Sequence, residues 1–225
     1  MQSGDMIEAI NAFLLVFAGL FPIVNPLGSA PIFLSLTSDC TAQERDRLAR
    51  GVAFNGFWLL LGSMLFGSAI LEFFGITVPV VRVAGGLLVT AMGWKLLNEG
   101  SNPPEREAVH REGQSQHLHD SFYPLTVPLT VGPGSISVAI TLGANAAGRK
   151  GIDVLAIVAA LVGSMILALI IYLCYGFADR LARILGPTAT TVFTRLSAFL
   201  LLCIGVQIMW NGISQLLSSL PASVR

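Results

Sequence analysis

The sequence predicts an all-α integral membrane protein that forms a single membrane domain over residues 1–225. Three observations support this class. Hydrophobic residues make up 54% of the chain and charged residues only 12%. Apolar stretches long enough to cross hydrocarbon recur along it, and an internal repeat divides them into two sets. We place six spans at residues 9–24 continuing through the motif at 21–37, 52–74, 76–97, 121–144, 152–177 and 189–217.

The distribution of Lys and Arg predicts that both termini are periplasmic. In this orientation residues 98–120 form a cytoplasmic loop between the third and fourth spans. The cytoplasmic side then holds Arg45, Arg47, Arg50, Lys95, Arg106, Arg111, Arg180 and Arg183, and the outside holds Arg149, Lys150 and Arg225. Asp5 and Glu8 stand where a signal peptide would carry positive charge, so we expect the first span to remain in the mature protein.

An internal repeat relates residues 1–100 to residues 115–225. Shifting the chain by 102 residues places "FPIVNPLGSAP" over "YPLTVPLTVGP", so that three prolines coincide with three prolines. Near the end of each half, Gly75, Arg82 and Gly93 fall on Gly186, Arg195 and Gly205. Each half contains three spans, an odd number, so the second half should enter the membrane in the opposite orientation. Such inverted-topology repeats are common in secondary transporters, although duplication also produces three-helix repeats in membrane proteins of other roles.

The two proline motifs predict that the first helix of each repeat is broken or re-entrant, because proline lacks an N–H and clashes with the preceding turn. A broken helix inside a membrane must be buried in protein or line a water-filled cavity. Freed N–H groups attract anions and freed carbonyls attract cations, so two breaks can hold a zwitterion without charged side chains. The polar candidates for binding a solute are Asn25, Ser29, Thr126, Thr130 and Ser135, and Gly28, Gly132 and Gly134 would allow close backbone approach.

Neither motif contains an Asp, Glu, His or Cys, which argues against a carrier of divalent metals. We therefore expect no metal and no cofactor, and leave open whether a proton or sodium ion couples to transport. The spans contain no plausible nucleophile–base pair, so we do not expect an enzyme. The alternative to a binding site at the two proline motifs is that their prolines only kink the helices so that these can pack. Net charge is zero and gives no indication of a nucleic-acid partner; a small solute and the lipid bilayer are the expected partners, with the oligomeric state open.

Arg82 and Arg195 lie inside predicted spans, where charge is costly and needs a partner or a route to water. Glu72 ends the span before Arg82, and Asp179 ends the span before Arg195. One interpretation is that the arginines reach the interface and anchor their spans, with these acids as partners. The other is that they act as gate residues that change partners as the site opens to either side.

The segments "NPLGSAPIFLSLT", "RVAGGLLVTAMGWKLL" and "FYPLTVPLTVGPGSISVAITLGAN" together resemble the MarC family of bacterial inner-membrane proteins, over nearly the whole chain. The resemblance implies a six-span protein of the inner membrane, related to the lysine-exporter superfamily, and a role in transport of small neutral amino acids such as glycine or alanine. The family pattern covers Asn25, Pro26, Gly28 and Pro31 in the first half, Pro128, Thr130, Gly132, Pro133 and Gly134 in the second, and Arg82 with Ala84, Gly85 and Gly86.

We therefore expect a secondary transporter of small neutral amino acids that alternates access to a midplane site between the two breaks. Export of other small amphipathic compounds, including drugs, is an alternative within the transporter class. A membrane scaffold without transport is an alternative outside it. The second motif has Val127 where the first has Asn25, so the two halves need not bind equivalent groups.

Overall fold

The computed structural model describes residues 2–98, 120–147 and 154–219. The first half contains α1 (Gln2–Val24), α2 (Pro26–Leu36), α3 (Ala42–Phe73) and α4 (Val78–Asn98). The second half contains a π-helical stretch, here called the π segment (Ser121–Thr130), then α5 (Pro133–Ala147), α6 (Val154–Gly176) and α7 (Ala178–Ser218). Apart from its two end residues, the predicted cytoplasmic loop 98–120 lies outside the described residues, as do Arg149, Lys150 and Arg225.

The predicted all-helical membrane class is confirmed. Within the described ranges, five candidate spans are long and apolar enough to cross a membrane: Ile10–Leu36, Ala42–Phe73, Val78–Asn98, Val154–Gly176 and Arg195–Ser218. The π segment and α5 meet at an angle of 72°. The two make a sixth crossing if the pair is counted as one span. Large apolar side chains such as Phe54, Phe66 and Met165 are exposed on these helices, as expected for surfaces that face lipid.

Local sequence signals set several helix boundaries. Thr41 and Glu44 form a capping box at the start of α3, in which Thr41 Oγ1 accepts from Glu44 N at 3.3 Å and Glu44 Oε2 accepts from Thr41 N at 2.8 Å. Gly75 turns the chain between α3 and α4 with a φ of 67°. Gly186, its match in the repeat, bends α7 with a φ of 66°. A positive φ thus precedes the third apolar span of each half, and glycine adopts it without steric cost.

Glycines allow α4 and α7 to pack backbone against backbone in an antiparallel pair. A Cβ atom added at Gly93 would lie 2.6 Å from Leu202 N and 2.9 Å from Ala198 O. One added at Gly205 would lie 2.5 Å from Thr90 N and 2.8 Å from Gly86 O. Shifting the first set of contacts by 112 residues reproduces the second with the helices exchanged. Glycine is required on both sides because any side chain would separate the helices.

The long central helix of each half packs against the interrupted span of the other half. α3 packs against the π segment and α5, which belong to the other half, and α6 packs against α1 and α2. α3 and α6 also pack against each other and supply buried residues such as Leu60, Leu167 and Ile171 to a common core. Each interrupted span is therefore covered by the long helix of the opposite half.

We predict that Gly205→Ala lowers the free energy of unfolding by about 1–3 kcal/mol, because the new methyl group must push the α4 backbone away. Gly62→Ala is the matched control. A Cβ there meets nothing within 4 Å, so the same exchange should stabilise α3 by roughly 0.5–1 kcal/mol. Thermal unfolding of the detergent-purified variants measures both effects, and equal shifts for the two would contradict the packing.

Candidate functional site

The first proline motif breaks the helix at Asn25. This residue adopts the left-handed conformation, with φ 45° and ψ 54°, between the end of α1 and Pro26 at the start of α2. Asparagine tolerates this conformation, and its Oδ1 accepts from Gly28 N at 3.2 Å to cap the new helix. Pro26 and Pro31 have no N–H, so the carbonyls of Pro22 and Leu27 lack the donor that a regular helix supplies. The break leaves polar backbone groups in the interior of the span.

The second motif is interrupted in a different way. Tyr123 and Val127 are extended, with φ of −127° and −114°, and π-type geometry links Val131 N to Thr126 O at 2.8 Å. Val127 occupies the position that matches Asn25, and a β-branched residue strongly disfavours the left-handed conformation. Thr126 Oγ1 donates to Ser121 O at 2.6 Å, and Thr130 Oγ1 donates to Leu125 O at 2.7 Å. Two hydroxyl groups thus donate to carbonyls of the irregular backbone.

Tyr175 of α6 joins the two breaks. Its hydroxyl oxygen lies 2.8 Å from Thr130 Oγ1, and the Ser29 hydroxyl lies nearby. Its ring stacks on Phe33 of α2 with a centroid distance of 4.4 Å. Tyr175 and Phe33 have no exposed surface, and Thr130 is 2% exposed. The motifs therefore meet at a buried hydroxyl cluster, defined here as Ser29, Thr130 and Tyr175.

The predicted solute-binding residues divide between the interior and the surface. Asn25 and Pro31 are half-buried, whereas Pro128 and Pro133 are exposed. The buried members are Pro26, Gly28, Ser29, Thr126, Thr130, Gly132, Gly134 and Ser135. The two threonines of the π segment are buried, whereas Pro128 of the same segment is exposed.

Protein atoms occupy the space beside two of the predicted glycines. The Asn25 side chain fills the position next to Gly28. A Cβ added at Gly134 would lie 2.7 Å from Val89 Cγ2, so this glycine brings α5 close to α4. Both glycines serve close packing of the protein in this conformation, and the hydroxyl cluster is tightly enclosed.

Arg82 is 6% exposed and is bound by neutral amides. One of its Nη atoms donates to Gln215 Oε1 of α7 at 2.5 Å, and the other donates to Asn145 Oδ1 of α5. The Nε–H is buried and has no acceptor among the described residues. No ion pair joins Arg82 to a described carboxylate. α4 begins at Val78, so Arg82 lies about 6 Å along the helix from its start.

A cavity of about 320 Å³ opens beside Arg82 near one end of the bundle. Ile208 lines it together with six polar residues of α4, α5 and α7. These are Arg82, Thr141, Asn145, Asn211, Ser214 and Gln215. The hydroxyl of Thr141 is buried there without a hydrogen-bond partner in the described structure. One positive charge therefore faces a small chamber of neutral polar groups.

The other predicted gate or anchor residues lie apart from this cavity. Arg195 and Glu72 are exposed. Asp179 accepts a hydrogen bond from Arg45, which also donates to the Thr37 carbonyl at 3.0 Å. Asp179 thus ties the start of α7 to the turn between α2 and α3. Arg82 and Arg195 occupy matching positions in the repeat but different environments.

Several polar residues of the site were not among the sequence candidates. Tyr175 ends an otherwise apolar span, and Asn55 lies inside another, with its Nδ2 3.5 Å from both Ser121 Oγ and Thr126 Oγ1. Asn145 and Gln215 sit in the last turns of their helices. In the sequence, each of these residues is marked only as a polar residue within an apolar run. That signal identifies the positions one by one, but it does not show which of them contact each other.

We predict that Asn25→Ala lowers the free energy of unfolding by about 1–2 kcal/mol, because alanine loses the cap and is strained in the left-handed conformation. Asn25→Gly loses the same cap but accepts the conformation, so it should cost only a few tenths of a kcal/mol. Chemical or thermal unfolding in detergent compares the two. Equal losses would show that the backbone conformation at this position does not limit stability.

Comparisons with known proteins place the chain in a family. The family model described as "MarC family integral membrane protein" matches residues 10–217. The membrane protein YvbG of Bacillus subtilis is 32% identical over 199 residues, which cover 88% of this chain and 92% of YvbG. The inner membrane protein MarC of Salmonella typhimurium is 29% identical over 222 residues, covering 96% of this chain and 98% of that protein. No solved structure matches the chain significantly. The chain is therefore a multi-pass membrane protein that belongs to the MarC family.

Proposed function

We propose that this protein is a secondary transporter of small neutral, zwitterionic amino acids such as glycine or alanine, acting in the bacterial inner membrane. The observation that carries the proposal is the meeting of two interrupted spans at the hydroxyl cluster of Ser29, Thr130 and Tyr175. Interrupted spans that face each other inside a bundle are the usual site of solute binding in secondary transporters. The naming of several relatives as inner membrane proteins supports the location.

The chemistry of the breaks suits a zwitterion. Proline leaves the Pro22 and Leu27 carbonyls without helical donors, and such carbonyls can accept from an ammonium group. The Ser29 hydroxyl can donate to a carboxylate, and Thr130 and Tyr175 can do so when the carboxylate replaces the internal acceptors to which they now donate. The cluster contains no charged side chain, so a net-neutral solute would leave no unpaired charge in the membrane.

The packing of the bundle supports an inverted repeat. Contacts of Gly93 and Gly205 exchange when the chain is shifted by 112 residues, which is the result expected of a two-fold axis that relates α4 to α7. The exchange of α3 and α6 between the interrupted spans follows the same pattern. Alternating access requires the hydroxyl cluster, closed in this conformation, to open to each side in turn through movement of one repeat against the other.

The test is transport by purified protein in proteoliposomes. Labelled glycine and alanine should enter faster than into protein-free vesicles, with proton and sodium gradients applied separately to identify the coupling ion. If neither amino acid moves under any gradient, the proposal is wrong.

We predict that Tyr175→Phe slows this transport by up to about tenfold, because it removes a buried hydroxyl that links the two breaks. Tyr172→Phe is the matched control, since it also removes one tyrosine hydroxyl from α6. The Tyr172 hydroxyl donates to Asp46 Oδ1 at 3.0 Å, away from the breaks. The control should transport at the wild-type rate. Equal losses in both variants would remove the hydroxyl cluster from the mechanism.

A further inference from the structure

Arg82 is a buried cation without an anionic partner among the described residues. A guanidinium group carries five N–H donors, and the described acceptors bind only two of them. The Nε–H remains buried and unbound. Leaving a donor of a charged group unsatisfied is costly, so such a group persists where another acceptor completes it.

Three helices hold Arg82 in place beside the cavity. A Cβ added at Gly212 of α7 would lie 2.9 Å from Arg82 Cβ, so the two backbones meet directly next to the arginine. Ser137 Oγ of α5 donates to the Val81 carbonyl at 2.9 Å. The amide oxygens of Asn145 and Gln215 then fix the guanidinium plane. This packing fixes the position of the Arg82 charge within the bundle.

Arg82 and Thr141 line the same cavity. The Nε–H and the second N–H of a neighbouring Nη form the edge of guanidinium that binds a carboxylate through two parallel hydrogen bonds. The unpartnered Thr141 hydroxyl lines the same cavity and can supply a third donor. Asn145, Asn211 and Gln215 are exposed and form a polar entrance.

We propose that this cavity binds the carboxylate group of a small solute, with Arg82 and Thr141 as its donors. A single arginine among neutral groups matches one negative charge, and the last turns of α5 and α7 nearby oppose a higher one. A volume of about 320 Å³ admits a carboxylate attached to a few carbon atoms. The site lies apart from the hydroxyl cluster, and its occupancy does not require the proposed transport activity.

Binding is tested directly on the full chain in detergent, with saturation-transfer NMR on the methyl protons of acetate and the methylene protons of glycine. Both probes should bind to the wild-type protein. Arg82→Gln should weaken acetate binding by at least about tenfold, because it removes the charge and the fork of donors. Arg195→Gln, the matching position in the repeat and exposed, is the control and should bind as the wild type does.

Thr141→Val separates ligand binding from stability. Its hydroxyl has no partner in the described structure, so the substitution breaks no internal hydrogen bond and should leave the melting temperature unchanged or raised. Acetate binding should nevertheless weaken several-fold. This variant keeps the proposal testable if Arg82→Gln does not fold.

Three results would overturn the proposal: acetate binding that is equal in wild type and Arg82→Gln, unchanged binding in Thr141→Val, or displacement of acetate by chloride or phosphate at lower concentration than by glycine. The last would make the cavity a site for inorganic anions. A failure of glycine transport in vesicles would not affect these measurements, so the two proposals fail independently.

Discussion

A proline inside a membrane helix leaves a carbonyl without its N–H donor, and hydrocarbon offers no water to replace that donor. This constraint governs the placement of the interrupted spans. α3 packs against the π segment and α5, and α6 packs against α1 and α2, so each interrupted span lies against a long helix of the other half. Thr126 and Thr130 supply hydroxyl donors within the π segment, and Tyr175 bonds Thr130 while its ring stacks on Phe33 of α2. The positions of α3 and α6 are therefore consistent with the requirement that interrupted spans be covered by protein.

The two halves share a packing scheme but differ in chemistry. Glycine contacts between α4 and α7 exchange almost exactly under the repeat, since backbone packing requires only the absence of a side chain. The polar positions do not exchange. Asn25 adopts a left-handed conformation that its counterpart Val127 avoids, and Arg82 is buried while Arg195 is exposed. Two halves with the same backbone packing can thus form sites with different polar groups.

α5 connects the two polar regions of the molecule. It begins at the second break with Pro133 and ends beside the cavity with Asn145 in its last turn. Gly134 brings its first turn against Val89 of α4, and Ser137 binds the Val81 carbonyl one residue before Arg82. α5 therefore reaches from the second break to the cavity and is held against α4 along its first two turns.

The sequence alone determined the helical membrane class, the spans and the two points of interruption, because hydrophobic length and proline act locally. It also identified Arg82 as a charge that needs explanation. It did not show that Tyr175 connects Phe33 to Thr130, or that Asn145 and Gln215 bind Arg82, because those contacts join helices far apart in the chain. It suggested Glu72 and Asp179 as partners for the arginines, whereas Asp179 binds Arg45. Only the packing of helices decides which polar groups meet, since many residues can satisfy the same local rule and interhelical geometry selects among them.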